Sequence, residues 1–221
     1  MPRRRGGDPQ GRLLEACVEV VGRRGWDEAK IVDICLLAEV STQTFYRCFA
    51  TKEACFQAAV EARGSELLAR GKEAFDATPA PWEQQILATL SRLLQDLAAD
   101  EPLARVLAVE VPRAGAAGPA GLAVLVDQAK RLFAPHETAP QPPVHGLEKV
   151  IVGTVLYPVS DYVGRDSVDR LPELAPVLTY FLVLFLVGSD RALELADGLR
   201  SQRSRNGLRE AHGDPGVVET G

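Results

Sequence analysis

The chain has 221 residues, 46% of them apolar and 25% charged, with 6% aromatic and 15 prolines, so it is long and apolar enough to bury a sizeable core and a small satellite domain. The net charge of −5 excludes a uniformly basic nucleic-acid coat, and any such surface must come from local clustering of the 25 basic residues. Arg3, Arg4 and Arg5 are followed by polar residues and glycine rather than an apolar run, so neither a secretory signal nor an anchor is expected, and the expected compartment is the cytoplasm.

Helical periodicity dominates, and no run alternates apolar and polar residues long enough to make a strand, which predicts an all-α protein. Leu13, Leu14, Cys17, Val20 and Val21 form one helical stripe that ends with Arg23 and Arg24 against the dipole and Gly25 as the stop. Ile31, Ile34, Cys35 and Ala38 predict a short helix over 31–38, and a three-residue break leads to a second over 42–49. Ser41 and Thr51 are placed to cap the helices after them, with Glu53 in the first turn of the later one. Phe56, Ala59, Val60 and Leu67 mark a long helix to about residue 75. Prolines then punctuate helices of roughly 82–99, 102–112 and 119–134.

Four prolines between 134 and 146 predict a loop. Next comes a helix over about 146–164, and then the longest uncharged apolar stretch, 15 residues at 174–188. A membrane span needs about 20, so this helix is expected to be buried by protein on all sides, partly by a second subunit. From Ser201 onward glycine and polar residues prevail, which predicts a disordered tail over 201–221.

Cys17, Cys35, Cys48 and Cys55 contain no CxxC pair and lie far in sequence from the three histidines, so no disulfide scaffold, metal site or cofactor is indicated. They read as small buried hydrophobes, with a redox-sensing thiol as the alternative. No GxSxG, HExxH, P-loop or strand-borne GxGxxG occurs, so an enzyme is not expected.

Two short helices joined by a tight turn and preceded by a supporting helix make the helix-turn-helix arrangement of a DNA reader. At this point the sequence resembles the TetR family of bacterial one-component transcriptional regulators. The resemblance rests on Gly25-Trp26, Ile31, Ile34, Ala38, Val40, Ser41, Thr44-Phe45-Tyr46, Phe49, Lys52, Glu53 and Phe56. Two departures stand out: Ala29 and Lys30 replace the usual Thr or Ser opening the second helix, and Glu39 replaces the usual turn glycine.

Thr42 and Gln43, at the start of the recognition helix, are the expected base readers, because Gln can bond an adenine bidentately and Thr suits a thymine methyl. Tyr46 and Lys52 match family positions that bind the phosphate backbone. Ser41 and Thr44 add hydroxyls, Lys30 adds charge, and Arg47 reaches phosphate or guanine. Arg3, Arg4 and Arg5 make a basic arm for an adjacent minor groove, or a solvated terminus. Phe45 and Phe49 read as core. Residues 1–52 carry a net charge of +2 and the remainder −7, which assigns the DNA contact to the N-terminal end.

The expected division is thus a DNA-binding domain over 1–52, a larger regulatory and dimerisation domain over 53–200, and the tail. The resemblance implies a ligand-responsive repressor that binds a palindromic operator as a homodimer, with a small-molecule effector and no membrane partner. The alternative is a regulator controlled by a protein partner, or by no effector at all. The interface is expected on Leu147, Val150, Ile151, Thr154, Pro158 and Tyr162 together with Val177, Phe181, Leu182, Phe185 and Leu186. Arg105, Glu110, Tyr157 and Asp161, polar residues amid apolar neighbours, are the candidate ligand contacts. Trp82 reads as a packing anchor.

Overall fold

The computed structural model describes residues 8–79, 81–115, 120–124, 126, 127 and 147–187. These residues form helices and turns, and no strand occurs among them. The basic arm at 3–5, the proline-rich segment and the tail lie outside the described residues, as do the side chains of Leu147, Phe185 and Leu186.

Helix α1 (Pro9–Arg24) starts at Asp8, whose carboxylate accepts the Gln10 N–H at 3.1 Å, and Pro9 fits the first turn because no donor is needed there. Its stripe of Leu13, Cys17, Val20 and Val21 is buried. Helices α2 (Ile31–Leu37) and α3 (Thr42–Cys48) lie against it, and α4 (Lys52–Ala77) opens on the Thr51 hydroxyl, which accepts the Ala54 N–H at 3.1 Å. Helix α4 packs along α1 and α5 (Trp82–Ala99), so it belongs to the core of both ends of the chain.

Helix α6 begins as Glu101–Arg105 behind the Asp100 cap, widens into a π-helical stretch at Val106–Glu110, and closes as Val111–Arg113. The expected helix over 102–112 is therefore present but not regular. Helix α7 (Leu147–Gly164) leads through a 3₁₀ segment, Val168–Leu174, into α8 (Ala175–Val187). Within the protomer α8 is covered on one side: Leu178, Leu182 and Val183 are buried, while Val177 and Phe181 are exposed. The long helix expected over 119–134 is described only at 120–124, 126 and 127, which are helical.

One contact fixes how the N-terminal helices meet the rest. Gly22 on α1 is pressed against the backbone of Pro102, so a Cβ built there would stand 2.5 Å from the Pro102 carbonyl oxygen and 2.6 Å from its Cα. Alanine at this position gains about 1 kcal/mol of helix propensity, but overpacking against backbone costs typically 1–3 kcal/mol and α6 cannot yield as a side chain would. Gly22→Ala is expected to lower the melting temperature despite the better helix former, and a thermal melt equal to or above that of the parent would contradict this packing.

Candidate nucleic-acid interface

The α2–α3 turn closes as a Schellman motif: Val40 N–H donates to Cys35 O at 3.0 Å and Glu39 N–H to Leu36 O at 3.2 Å. That motif needs a left-handed residue, and Glu39 supplies it with φ of 54°. The glycine absent from the sequence is thus absent from a position whose backbone favours glycine. Glu39 is exposed.

Ser41 caps α3 by accepting the Thr44 N–H at 3.1 Å. Its hydroxyl also lies 3.0 Å from that of Thr44, which in turn accepts from the Arg47 guanidinium at 3.2 Å. Three of the expected DNA contacts therefore form one hydrogen-bonded row along α3. Phe45 is fully buried and packs against Phe49 with ring centroids 5.9 Å apart, so this side of α3 is its anchor. Thr42, Gln43, Arg47 and Tyr46, the last 59% exposed, remain on the open side, with Thr44 half-buried among them. Lys30 is exposed at the start of α2.

Residues 13–59 match the family model described as bacterial regulatory proteins, tetR family. The matched residues run from α1 into α4 and so span the whole helix-turn-helix end of the chain. Solved structures with the same fold include the fatty acid degradation regulator FadR of Bacillus halodurans, 20% identical, covering 85% of this chain and 99% of that one at a TM-score of 0.67. FadR of Bacillus subtilis in complex with stearoyl-CoA is 18% identical, with 81% and 98% covered and a TM-score of 0.64. A TetR-family regulator from Syntrophomonas wolfei is 17% identical, with 80% and 94% covered and the same TM-score of 0.64. No curated protein matches the chain by sequence.

Lys52 sits differently from the sequence expectation. Its ammonium donates to Trp26 O at 2.8 Å and Ala29 O at 2.9 Å and lies 4.0 Å from the centroid of the Trp26 ring. Two of its three donors are spent on the α1–α2 turn, so the geometry makes Lys52 a positioning residue rather than a free phosphate ligand. The Trp26 ring also meets that of Phe56, with centroids 4.7 Å apart.

Three of the four candidate ligand contacts, Glu110, Arg105 and Asp161, face partners within the protomer. Glu110 is 7% exposed and its Oε2 accepts the Trp26 N–H at 2.8 Å, so it holds the DNA-reading end. Arg105 faces Glu101 at 3.8 Å and Asp166 at 3.9 Å, and Asp161 pairs with Arg165 at 2.9 Å. Tyr157 is 77% exposed on the outside of α7, in line with Val150 and Thr154. Of the expected interface residues, Val150, Val177 and Phe181 are exposed, whereas Thr154, Pro158 and Tyr162 are half-buried. Ile151 and Leu182 are buried within the protomer, so they are core residues and Tyr157 takes their place on the open face.

Cys17, Cys35 and Cys55 are buried. A hydrogen bond with Cys55, together with burial, pushes the Cys17 thiol well up, and burial raises Cys35. Thiols held protonated in this way are poor nucleophiles and poor metal ligands. No group of His, Cys, Asp and Glu suited to a metal ion occurs among the described residues.

Lys52→Ala should cost about 1–3 kcal/mol of stability in a urea melt, because two carbonyls lose a charged donor, and should leave the salt slope of DNA binding unchanged. A slope lower by about one unit would put Lys52 on a phosphate instead.

Proposed function

We propose that this regulator binds a palindromic operator as a homodimer and responds to a small molecule held by its larger domain, most simply as a repressor. One observation supports the DNA reading above the others: α3 is anchored by the buried Phe45 and carries Thr42, Gln43, Tyr46 and Arg47 in the open. Gln43 and Thr42 are the base readers. Tyr46, Ser41, Thr44 and Lys30 serve the phosphates, with Arg3, Arg4 and Arg5 in the adjacent minor groove. Arg47 is held by Thr44 at the far end of the row and reads phosphate or guanine. Glu39 is the one acidic side chain in the turn, and it must point away from the duplex.

The dimer reading draws on the open face of α7 and α8. Val150 and Tyr157 on one helix, and Val177 and Phe181 on the other, are large apolar residues exposed at helical spacing. Covering them with the same face of a second copy gives a two-fold assembly, which sets two recognition helices into successive major grooves about 34–36 Å apart, or at a related spacing. Val150, Thr154, Tyr157, Val177 and Phe181 form this interface.

DNA as the partner implies a cytoplasmic protein, and no helix among the described residues is long and apolar enough to cross a membrane. The FadR likeness, one structure of which holds stearoyl-CoA, makes long-chain acyl-CoA thioesters the first effector class to test. An effector of the native state raises apparent stability by mass action, by about 2.7 kcal/mol at a hundred times its Kd. The domain division at 52/53 is a functional one, since α4 runs unbroken from Lys52.

Selection of duplexes from a random pool should yield a palindrome, and Gln43→Ala should then lose about 1–3 kcal/mol at one base position per half-site. Unchanged preference at every position would remove Gln43 from the readers. Phe181→Arg adds a charge to a position 41% exposed in the protomer, so the chain should still fold, yet sediment as a monomer and bind its operator weakly. A dimer at the parent's concentration dependence would place the interface elsewhere. Leu182, 1% exposed, is unsuited to this test because a charge there breaks the protomer itself.

A further inference from the structure

Glu110 closes the π-helical turn of α6, in which the Val111 N–H donates to Val106 O, five residues back. Pro112 is the sequence reason for the wide turn. In an α register its ring would meet the carbonyl of Ala108, four residues earlier, and that carbonyl would lose its donor. The register matters because Glu110 is the last residue of the turn and its carboxylate is spent on a backbone amide 84 residues away, that of Trp26. The same carboxylate lies 3.6 Å from where a Cβ of Gly25 would stand, so it is seated against the turn on both residues. Gly25 has a φ of +84°, and the segment it opens carries the carbonyls of Trp26 and Ala29 that Lys52 holds from the start of α4. Ala29 N–H closes the segment on Gly25 O at 3.1 Å, and Lys30 begins α2 immediately after.

We propose that Glu110 and the π turn form a latch between the larger domain and the DNA reader, closed in the π register and opened by a return to the α register. Such a return rotates the residues beyond the turn by about 100° and shifts them by about 1.5 Å relative to Glu101–Arg105. That displacement takes the carboxylate off the Trp26 amide and frees residues 25–30, on which α2 is seated. Neither flanking helix has to unfold, and Pro112 sets the resting bias toward the closed state. A ligand shifts such an element only by favouring one of its registers. Use of the latch by an effector rests on the ligand-responsive reading above, whereas the latch itself rests on the geometry of α6 and the turn.

Hydrogen exchange of the full-length protein, free of DNA and effector, tests it. Glu110→Ala should speed exchange of segment 25–30 about ten- to a hundredfold, the scale of a lost hydrogen bond to a charged group, with α5 exchanging as in the parent. Glu110→Gln keeps an oxygen that accepts the Trp26 N–H and should stay near the parent. Pro112→Ala leaves Glu110 intact but removes the bias, and should speed exchange of the same segment. Unchanged exchange at 25–30 in Glu110→Ala overturns the latch, as does an equal rise in α5, which would make Glu110 a general stabiliser. Parent-like exchange in Pro112→Ala overturns the role of the register. These readouts need no operator, so a failure of the DNA-binding reading is told apart from a failure of the latch.

Discussion

The arrangement turns on how the six-residue segment between α1 and α2 is held. Trp26 is gripped at three points: its amide by Glu110 of α6, its carbonyl and ring face by Lys52 of α4, and its ring by Phe56 of α4. Beside it, Gly22 admits the Pro102 backbone, an approach that any side chain would prevent. The DNA reader is therefore not a bead on a linker. Its supporting helix lies in the groove between α4 and α6, and that seating sets the position of α2 and α3.

This seating explains the mixture of residue types in the turn. A backbone amide and two carbonyls that leave secondary structure in a buried place must be satisfied, and charged side chains from two different helices do so. Burying Glu110 costs desolvation that a charge-assisted bond offsets only in part, so the carboxylate is not an economical way to stabilise a core. Its presence makes sense where a contact has to be strong when aligned and lost when displaced. Glu39 is the opposite case: a residue strained in the left-handed region at an exposed turn, where the expected glycine would be relaxed.

Much of the fold was legible in the sequence because burial in helices is periodic. The stripes beginning at Leu13, Ile31 and Phe56 gave α1, α2 and α4, and the short turn at 39–41 with Phe45 and Phe49 inward gave the reader. What could not be read was direction. A lysine opening a helix has the same sequence whether its ammonium points to solvent or folds back on carbonyls, so Lys52 read as a phosphate contact. Glu110 between two valines read as a ligand contact because its partner is an amide 84 residues away, outside any local pattern. In α8 the apolar residues have no polar counterpart to mark an outer face, so Phe181 and Leu182 were indistinguishable although one is exposed and the other buried. Pro112 was the visible signal for the irregular turn of α6, and it read only as a boundary.

If the Trp26 segment joins reader and larger domain into one mechanical unit, the two must lose structure together. The direct measurement is urea unfolding of the Trp82→Phe protein, in which Trp26 is the sole tryptophan, followed at one protein concentration by fluorescence and by the helical circular dichroism signal. Coincident transitions are the predicted result. Loss of the Trp26 signal at a clearly lower urea concentration than the helical signal would show a reader that detaches on its own, and would contradict the account.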